Sequence, residues 1–402
     1  MSDLAGAAID PGSIAPDRLV DRFRELDPVA RDADPAAIEL VRAPGRVNLI
    51  GEHTDYNEGF VMPAAIGLEL RLAVLPADDR HVTVTLDETG ETASFDLDAI
   101  GSPTRTWIDY VAGTAWALDE AGLPLRGFRA LLASTIPQGA GLSSSAALEM
   151  AAALALLGPA SDVPAARRAT LGQRAENGYV GVQSGVMDQF ASAAGVAGQA
   201  ILLDCRSLDV RHVPLPPGLR LVVCHSGSPH RLETSEYNQR RAECDRAVAA
   251  VRRLDPTVRA LRDVTPELLA AAEPLMDEIA SRRARHVVEE DLRVHEAQAA
   301  LTAGDLPEVG RLFAASHASL RDLYEVSSPE LDALVEIATS VPGVVAARLT
   351  GAGFGGSTVN LVRPEAVDAL RAAVERDYPA RTGLTPTVLD VDAVDGAGFV
   401  TA

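Results

Sequence analysis

The chain contains no lysine; all 36 of its basic residues are arginine. That excludes a Walker A loop, which needs G-x-x-x-x-G-K-[ST], the strand lysine of a protein kinase, and Schiff-base catalysis. A phosphate group here has to be held by backbone N–H groups, hydroxyls, a metal ion or arginine. Positive charge is scarce overall, with 57 acidic residues and a formal net charge of −21. Nucleic acid is excluded as a partner, because phosphate backbones need clustered cations. A nucleotide on a local loop is not excluded. Cysteine is also scarce: Cys205, Cys224 and Cys244 form no CxxC pair, which argues against zinc and against a disulfide framework. They read as inert thiols in a reducing compartment. Long hydrophobic runs are missing. "MAAALALLG" from Met150 is too short to span a bilayer, and "MSDLAGAAIDPGS" lacks the basic start and apolar run of a signal peptide. A soluble, cytoplasmic protein without a membrane partner is expected.

What is present is enough apolar material, 47% of 402 residues, for more than one core. A polar lead-in carries a short helix, "DRLVDRFREL". Strands are expected at Arg46–Ile50, Leu70–Leu75 and His81–Leu86, the last alternating like a half-exposed antiparallel strand. A helix ends at Gly122, and "FRALLAST" leads as a strand into "IPQGAGLSSS". An alanine-rich helix is expected over Ser144–Leu157, and another at "RRATLGQRAENGY". Three prolines in "VRHVPLPPGLRLVV" mark a boundary, giving domains 1–214 and 215–402. The second half holds arginine-rich helices with solvated faces, then "GVVAARLTGAGFGGSTVNLV" and a last strand, "PTVLDVDA". Strands and helices interleave without a regular βαβ period, so the class is α+β.

Three glycine-rich stretches carry chemistry. In "PQGAGLSSSAALE", Gly139, Ala140, Gly141 and Leu142 lead into Ser143, Ser144 and Ser145 at a helix start. Unpaired N–H groups and the positive end of the helix dipole suit an anion there, and three serines exceed what a cap needs. "GAGFGG" at Gly351, Gly353, Gly355 and Gly356 matches G-x-G-x-x-G, but a strand follows instead of a helix. It therefore reads as a close-approach loop and not as a dinucleotide fingerprint. In "GVQSGVMDQF", Asp188 sits among Val186, Met187 and Phe190. A carboxylate so placed caps a helix, is paired, or is functional. The fourth dense stretch is "GRVNLIGEHTDYNEG", where Arg46 precedes Glu52, His53 and Asp55. A metal site, a catalytic cluster and a clamp for a polyhydroxylated ligand all fit those residue types.

The order of these motifs, with "SEYNQRR" between the last two, resembles that of the galactokinase family of the GHMP small-molecule kinases, from about Ala43 to Thr358. The serine loop and the late glycine loop are shared across the superfamily; "GEHTDY" is narrower. The resemblance implies a ribosomal-S5-like N-terminal domain, a ferredoxin-like C-terminal domain and an active site between them. It implies a monomer that uses ATP and Mg²⁺ to phosphorylate galactose at C1. Residue by residue, it puts the ATP phosphates on residues 139–145, Mg²⁺ on Ser145 and Glu176, and adenine near Trp107, whose aromatic companion is Tyr110. It makes Asp188 the catalytic base, with Arg46 beside it. Glu52, His53, Asp55, the Gly185 backbone and Tyr237 are assigned to galactose, and Gly351–Gly356 closes the site. Ser184 before Gly185, "CHSGSPH" and the ending "DGAGFV" depart from the common pattern. Alternatives from the same resemblance are a kinase for N-acetylgalactosamine or arabinose, and a non-catalytic galactose and ATP sensor. The uninterrupted serine loop speaks against the sensor.

Overall fold

The structure is a computed structural model that describes residues 11–228 and 233–400. The first ten residues of the lead-in, and His230–Leu232 of the stretch before "SEYNQRR", lie outside the described residues. The strands in chain order are β1 Glu39–Asn48, β2 Phe60–Val61, β3 Pro63–Pro76, β4 His81–Leu86 and β5 Thr92–Asp96. They continue with β6 Phe128–Ser134, β7 Gln199–Asp204, β8 Val210–Pro214 and β9 Arg220–His225. The last are β10 Val344–Thr350, β11 Ser357–Val362, β12 Thr387–Val391 and β13 Gly398–Val400. They form a six-stranded sheet, β13-β1-β3-β6-β4-β5, a four-stranded sheet, β10-β11-β9-β12, and a three-stranded sheet, β2-β7-β8. The segment after the three prolines opens β9 in the four-stranded sheet, while β13 returns to pair with β1.

Alanine content explains the packing of the first half. The helix Ser144–Leu157 buries eleven consecutive residues, Ala146–Leu156, because small side chains let neighbours approach on every side. It packs against β1 and β3 and against the helices Ile108–Glu120, Ala165–Ala175 and Met187–Ala194. One hydrophobic cluster runs from β1, β3 and this helix to Leu221 and Val223 of β9 and Val309 and Phe313 of a C-terminal helix. The two halves of the chain therefore share a core under the site.

Three local expectations are corrected. The strand expected at Arg46–Ile50 ends at Asn48 and begins earlier, at Glu39, because "ELVRA" pairs with β3. Its register shifts between Pro44 and Arg46, a bulge that re-aims the strand where Arg46 leaves it. β4 is not half-exposed: Val82–Thr85 are buried, since β4 lies inside the sheet, antiparallel to β5 but parallel to β6. The Thr85 hydroxyl bonds that of Thr92 at 2.9 Å, which lets a threonine sit inside. The helix expected through Tyr179 is α-helical over Ala165–Ala175 and then widens into one π turn, Glu176–Val180. Such turns cluster at functional sites, and this one starts at Glu176.

Candidate active site

A cavity of about 280 Å³ opens where the serine loop, the π turn, the "GEHTDY" stretch and the start of the glycine loop converge. At its centre Arg46 grips Asp188 with two parallel bonds, Nε to Oδ1 and Nη2 to Oδ2, both 2.7 Å. Bidentate pairing of this kind fixes orientation as well as charge. Arg46 is buried, and burial alone disfavours its charge, but Asp188 outweighs that and raises its pKa. Its remaining nitrogen, Nη1, donates to the Gly141 carbonyl at 2.6 Å. Ser143 donates its hydroxyl to Asp188 Oδ2. Asp188 is therefore bonded to both the strand and the serine loop, yet its side chain keeps 28% exposure toward the cavity.

On one wall, Ser144 begins the helix, and Ser145 lies close enough to Glu176 to lower its pKa. Glu176 accepts from Ser184 and from the Gln189 amide, the latter at 3.0 Å. The same amide donates to Glu149 at 2.9 Å, so two buried carboxyl groups share one NH₂. Burial raises the pKa of both, and for Glu149 the nearby Glu176 adds to it. Glu149 Oε1 has no partner among the described residues.

On the other wall, Glu52 is 1% exposed and well satisfied. Oε1 accepts from Gly351 N–H at 2.6 Å, and Oε2 accepts from Asn48 and lies 3.4 Å from Arg348. Burial raises its pKa, and Arg348 opposes the shift. No cation among the described residues forms an ion pair with Asp55, and Arg46, already paired with Asp188, opposes its shift only in part. Burial and then the Asp188 charge raise its pKa to about 7. A Cβ on Gly185 would land on the Asp55 carboxylate, so that position has to be glycine for Asp55 to keep its place. Tyr237 bonds the Gly185 backbone and stacks edge-on to Tyr56, with ring centroids 5.1 Å apart.

The cavity thus gathers Arg46, Glu52, His53, Asp55, Gly139–Ser145, Glu176, Gly185, Asp188, Tyr237 and Gly351. Trp107 is not among its lining residues. Its indole donates to Glu91 at 3.0 Å, while Tyr110 faces the cavity. Gly353, Gly355 and Gly356 form the back of the glycine loop. Gly353 lies against the Val326 carbonyl, where a Cβ would collide, and Gly356 O accepts from Ser226 N at 2.8 Å. His53 lines the cavity, but both its ring nitrogens bond within the protein. Sequence reading missed Arg348, Glu149 and Gln189. The signals were there: a lone arginine in the apolar run "VVAARLT", and a lone carboxylate in "LEMAAALALL".

The chain matches the GHMP kinases N terminal domain over residues 109–196 and the GHMP kinases C terminal over 297–380. Its structure also aligns with a mevalonate kinase from Methanococcus jannaschii at a TM-score of 0.59, covering 89% of this chain and 98% of that one, at 17% identity; this likeness is one of fold. The protein has the two-domain α+β fold of the GHMP kinases. Residues 31–76 match the galactokinase galactose-binding signature. The chain is 48% identical to the galactokinase of Roseiflexus sp. (strain RS-1) over 369 residues, 90% of this chain and 93% of that one. It is 47% identical to the galactokinase of Chloroflexus aggregans over 365 residues, 90% and 94% of the two chains. A crystal structure of Lactococcus lactis galactokinase complexed with galactose aligns at a TM-score of 0.88 and 38% identity, covering 94% and 98%. The chain belongs to the galactokinase family.

Proposed function

We propose that this protein transfers the γ-phosphoryl group of ATP to the C1 hydroxyl of galactose, giving galactose 1-phosphate and ADP. The observation that carries the reading is the Arg46–Asp188 pair, which lies between a serine-rich helix start on one side and Glu52, Asp55 and Tyr237 on the other. The first is chemistry for phosphates, the second for hydroxyls. The family membership and the galactose bound to the Lactococcus lactis galactokinase support the choice of sugar. Residues 1–214 and 215–402 are read as the two domains that flank the cavity. One chain supplies every group named here, in keeping with a cytoplasmic monomer.

The serine-loop N–H groups and hydroxyls would hold the ATP phosphates. Ser145 and Glu176 offer hard oxygen ligands side by side, and Mg²⁺ needs few protein ligands because it keeps waters and takes phosphate oxygens. The acidic Glu149–Glu176 pair, to which no arginine among the described residues is bonded, fits a cation. Bound there, Mg²⁺ would neutralise charge on the phosphates. Glu52, Asp55, Tyr237 and the Gly185 backbone would orient the sugar by accepting and donating to its hydroxyls. A site with such groups also rejects sugars that leave them unpaired. As the bond from the C1 oxygen to γ-phosphorus forms and the bond to the β–γ bridging oxygen breaks, ADP leaves with that electron pair. Asp188 takes the C1–OH proton. Arg46 holds the carboxylate in line and offsets charge on the moving group.

The test is ATP-dependent transfer, with Mg²⁺, to galactose, glucose, N-acetylgalactosamine, arabinose and talose. Preferential formation of galactose 1-phosphate is expected. Transfer to another sugar overturns the specificity reading and keeps the chemistry. Galactose binding without transfer to any sugar would make the protein a sensor.

A further inference from the structure

His53 is 4% exposed and adopts a left-handed backbone, φ 64°. Its Nε2 lies 3.1 Å from the Ala352 carbonyl oxygen and its Nδ1 lies 2.8 Å from the Tyr56 hydroxyl. A carbonyl only accepts, so Nε2 carries the hydrogen. Burial first, and His286 second, lower the His53 pKa to about 3, so the ring is neutral. A neutral imidazole has one donor and one acceptor. Nδ1 therefore accepts from Tyr56.

That spends the only hydrogen on the Tyr56 hydroxyl. Its 2.7 Å contact with the Tyr324 hydroxyl must then have Tyr324 as donor. The Tyr324 hydrogen is spent in turn, so the 3.1 Å contact with Cys244 is donated by the thiol. The direction of every bond is fixed, from Cys244 through Tyr324, Tyr56 and His53 to the Ala352 carbonyl. Asn57 braces the chain near both ends, its amide donating to the His53 carbonyl at 2.9 Å and to the Cys244 sulfur at 3.7 Å.

The chain ends on the glycine loop. Gly351 N–H, one residue earlier, donates to Glu52, and Phe354 N–H donates to the Val326 carbonyl at 2.7 Å. Two consecutive residues of the "GEHTDY" stretch thus hold two consecutive residues of a loop 299 positions away in sequence. The His53 ring has no hydrogen-bonding capacity left for a ligand.

We propose that His53 is a positioning residue that ties the glycine loop to a directed chain of buried side chains, and that it does not hydrogen-bond the sugar. The inference rests on the proposed function only for what the loop faces. Without the tether the loop would move, and transfer would suffer more than sugar binding.

Amide hydrogen exchange of the ligand-free protein over residues 351–357 tests this independently of any substrate. His53→Leu should speed exchange there by about tenfold or more. His53→Gln, whose amide offers an NH₂ donor group and a carbonyl acceptor, should stay within about threefold of the parent. In turnover, His53→Leu should lower kcat by about tenfold while the galactose Kd moves by less than about threefold. The binding penalty for each monodeoxygalactose should be as in the parent. Unchanged loop exchange in His53→Leu overturns the proposal, and so does a monodeoxygalactose whose penalty vanishes in that variant. If His53→Leu does not fold, His53→Gln decides: unaltered deoxygalactose penalties support the tether, and the loss of one overturns it. A wrong choice of sugar in the proposed function would change the binding panel but leave the loop exchange as expected.

Discussion

The two acidic walls of the cavity are built on different principles. Glu52 is backed by the fully buried Arg348, by Asn48 and by a loop N–H, so its charge is compensated before any ligand arrives. Glu176 is backed by another carboxyl group, Glu149, with a single glutamine amide between them. The first wall is a hydrogen-bonding template whose carboxylate already has donors and a cation, suited to a neutral, hydroxyl-rich ligand. The second crowds two acidic groups together, which raises the pKa of both, and the Mg²⁺ proposed for the phosphate side would relieve it. Asp188 lies where the walls meet, held by Arg46 from one side and Ser143 from the other.

Removing the compensation on the first wall should have the largest effect on stability. Arg348→Met leaves Glu52 buried without its cation, and breaking a buried pair this way costs about 3–5 kcal/mol. Denaturant unfolding should show a midpoint shift of that size. A shift below about 1 kcal/mol would mean that Glu52 is not ionised in the folded protein and the contrast between the walls is false.

The largest kinetic effect should come from the junction. Asp188→Asn keeps the shape and removes the base, and kcat should fall by about 10²–10⁴ with the galactose KM within about threefold. Equal losses in binding and turnover would make Asp188 a sugar ligand. Near-parent turnover would exclude the base role.

How much of this contrast was legible in the sequence depends on how far each partner is along the chain. The Ser144–Leu157 helix, the serine loop and the strand-to-strand placement of "GAGFGG" follow from local pattern, and they stand where expected. Arg348 does not, because its partner lies 296 positions away and only the folded sheet brings them together. The same holds for Gln189, which reads as an ordinary helix residue until Glu149 and Glu176 are seen to share it. The helices Pro266–Ala272, Leu306–Ser319 and Pro329–Ser340 went unread although each has a good cap. Asp305 and Ser328, for example, accept from Glu308 N and Leu331 N. Trp107, a residue type that suits a nucleotide pocket, has its indole N–H on Glu91, outside the cavity lining, a partner that its local sequence does not announce.

The second wall can be relaxed directly. Burial and Glu176 raise the Glu149 pKa, so between pH 4.5 and that raised value the folded protein holds more protons than the unfolded chain. Stability from this group is complete below pH 4.5 and is lost as pH rises. Glu149→Gln should therefore stabilise the ligand-free protein, by about 1–3 kcal/mol at pH 8 and much less at pH 5. It should also raise the Mg²⁺ concentration needed for half-maximal turnover by a few-fold, roughly what losing one supporting contact costs. A variant that is destabilised equally at both pH values would show that Glu149 is compensated after all.

The smallest effect concerns Asp55, the member of the first wall with no ion-pair partner among the described residues. Its carboxyl has been raised to about 7 by burial and the Asp188 charge. Sugar hydroxyls donating to it favour the ionised form, so binding galactose should lower its pKa and release a proton. The sign follows: affinity rises with pH, by at most about tenfold per unit, while Asp55 is largely protonated in the free protein. It levels off once pH passes 7. Calorimetric titration with galactose at pH 6.5, in two buffers of different ionisation enthalpy, should report release of a fraction of one proton, and at pH 8.5 almost none. Proton uptake at pH 6.5 would mean that Asp55 binds the sugar in its neutral form as a donor. No proton change at either pH would mean that Asp55 does not meet the sugar, leaving Glu52 and Tyr237 to orient it.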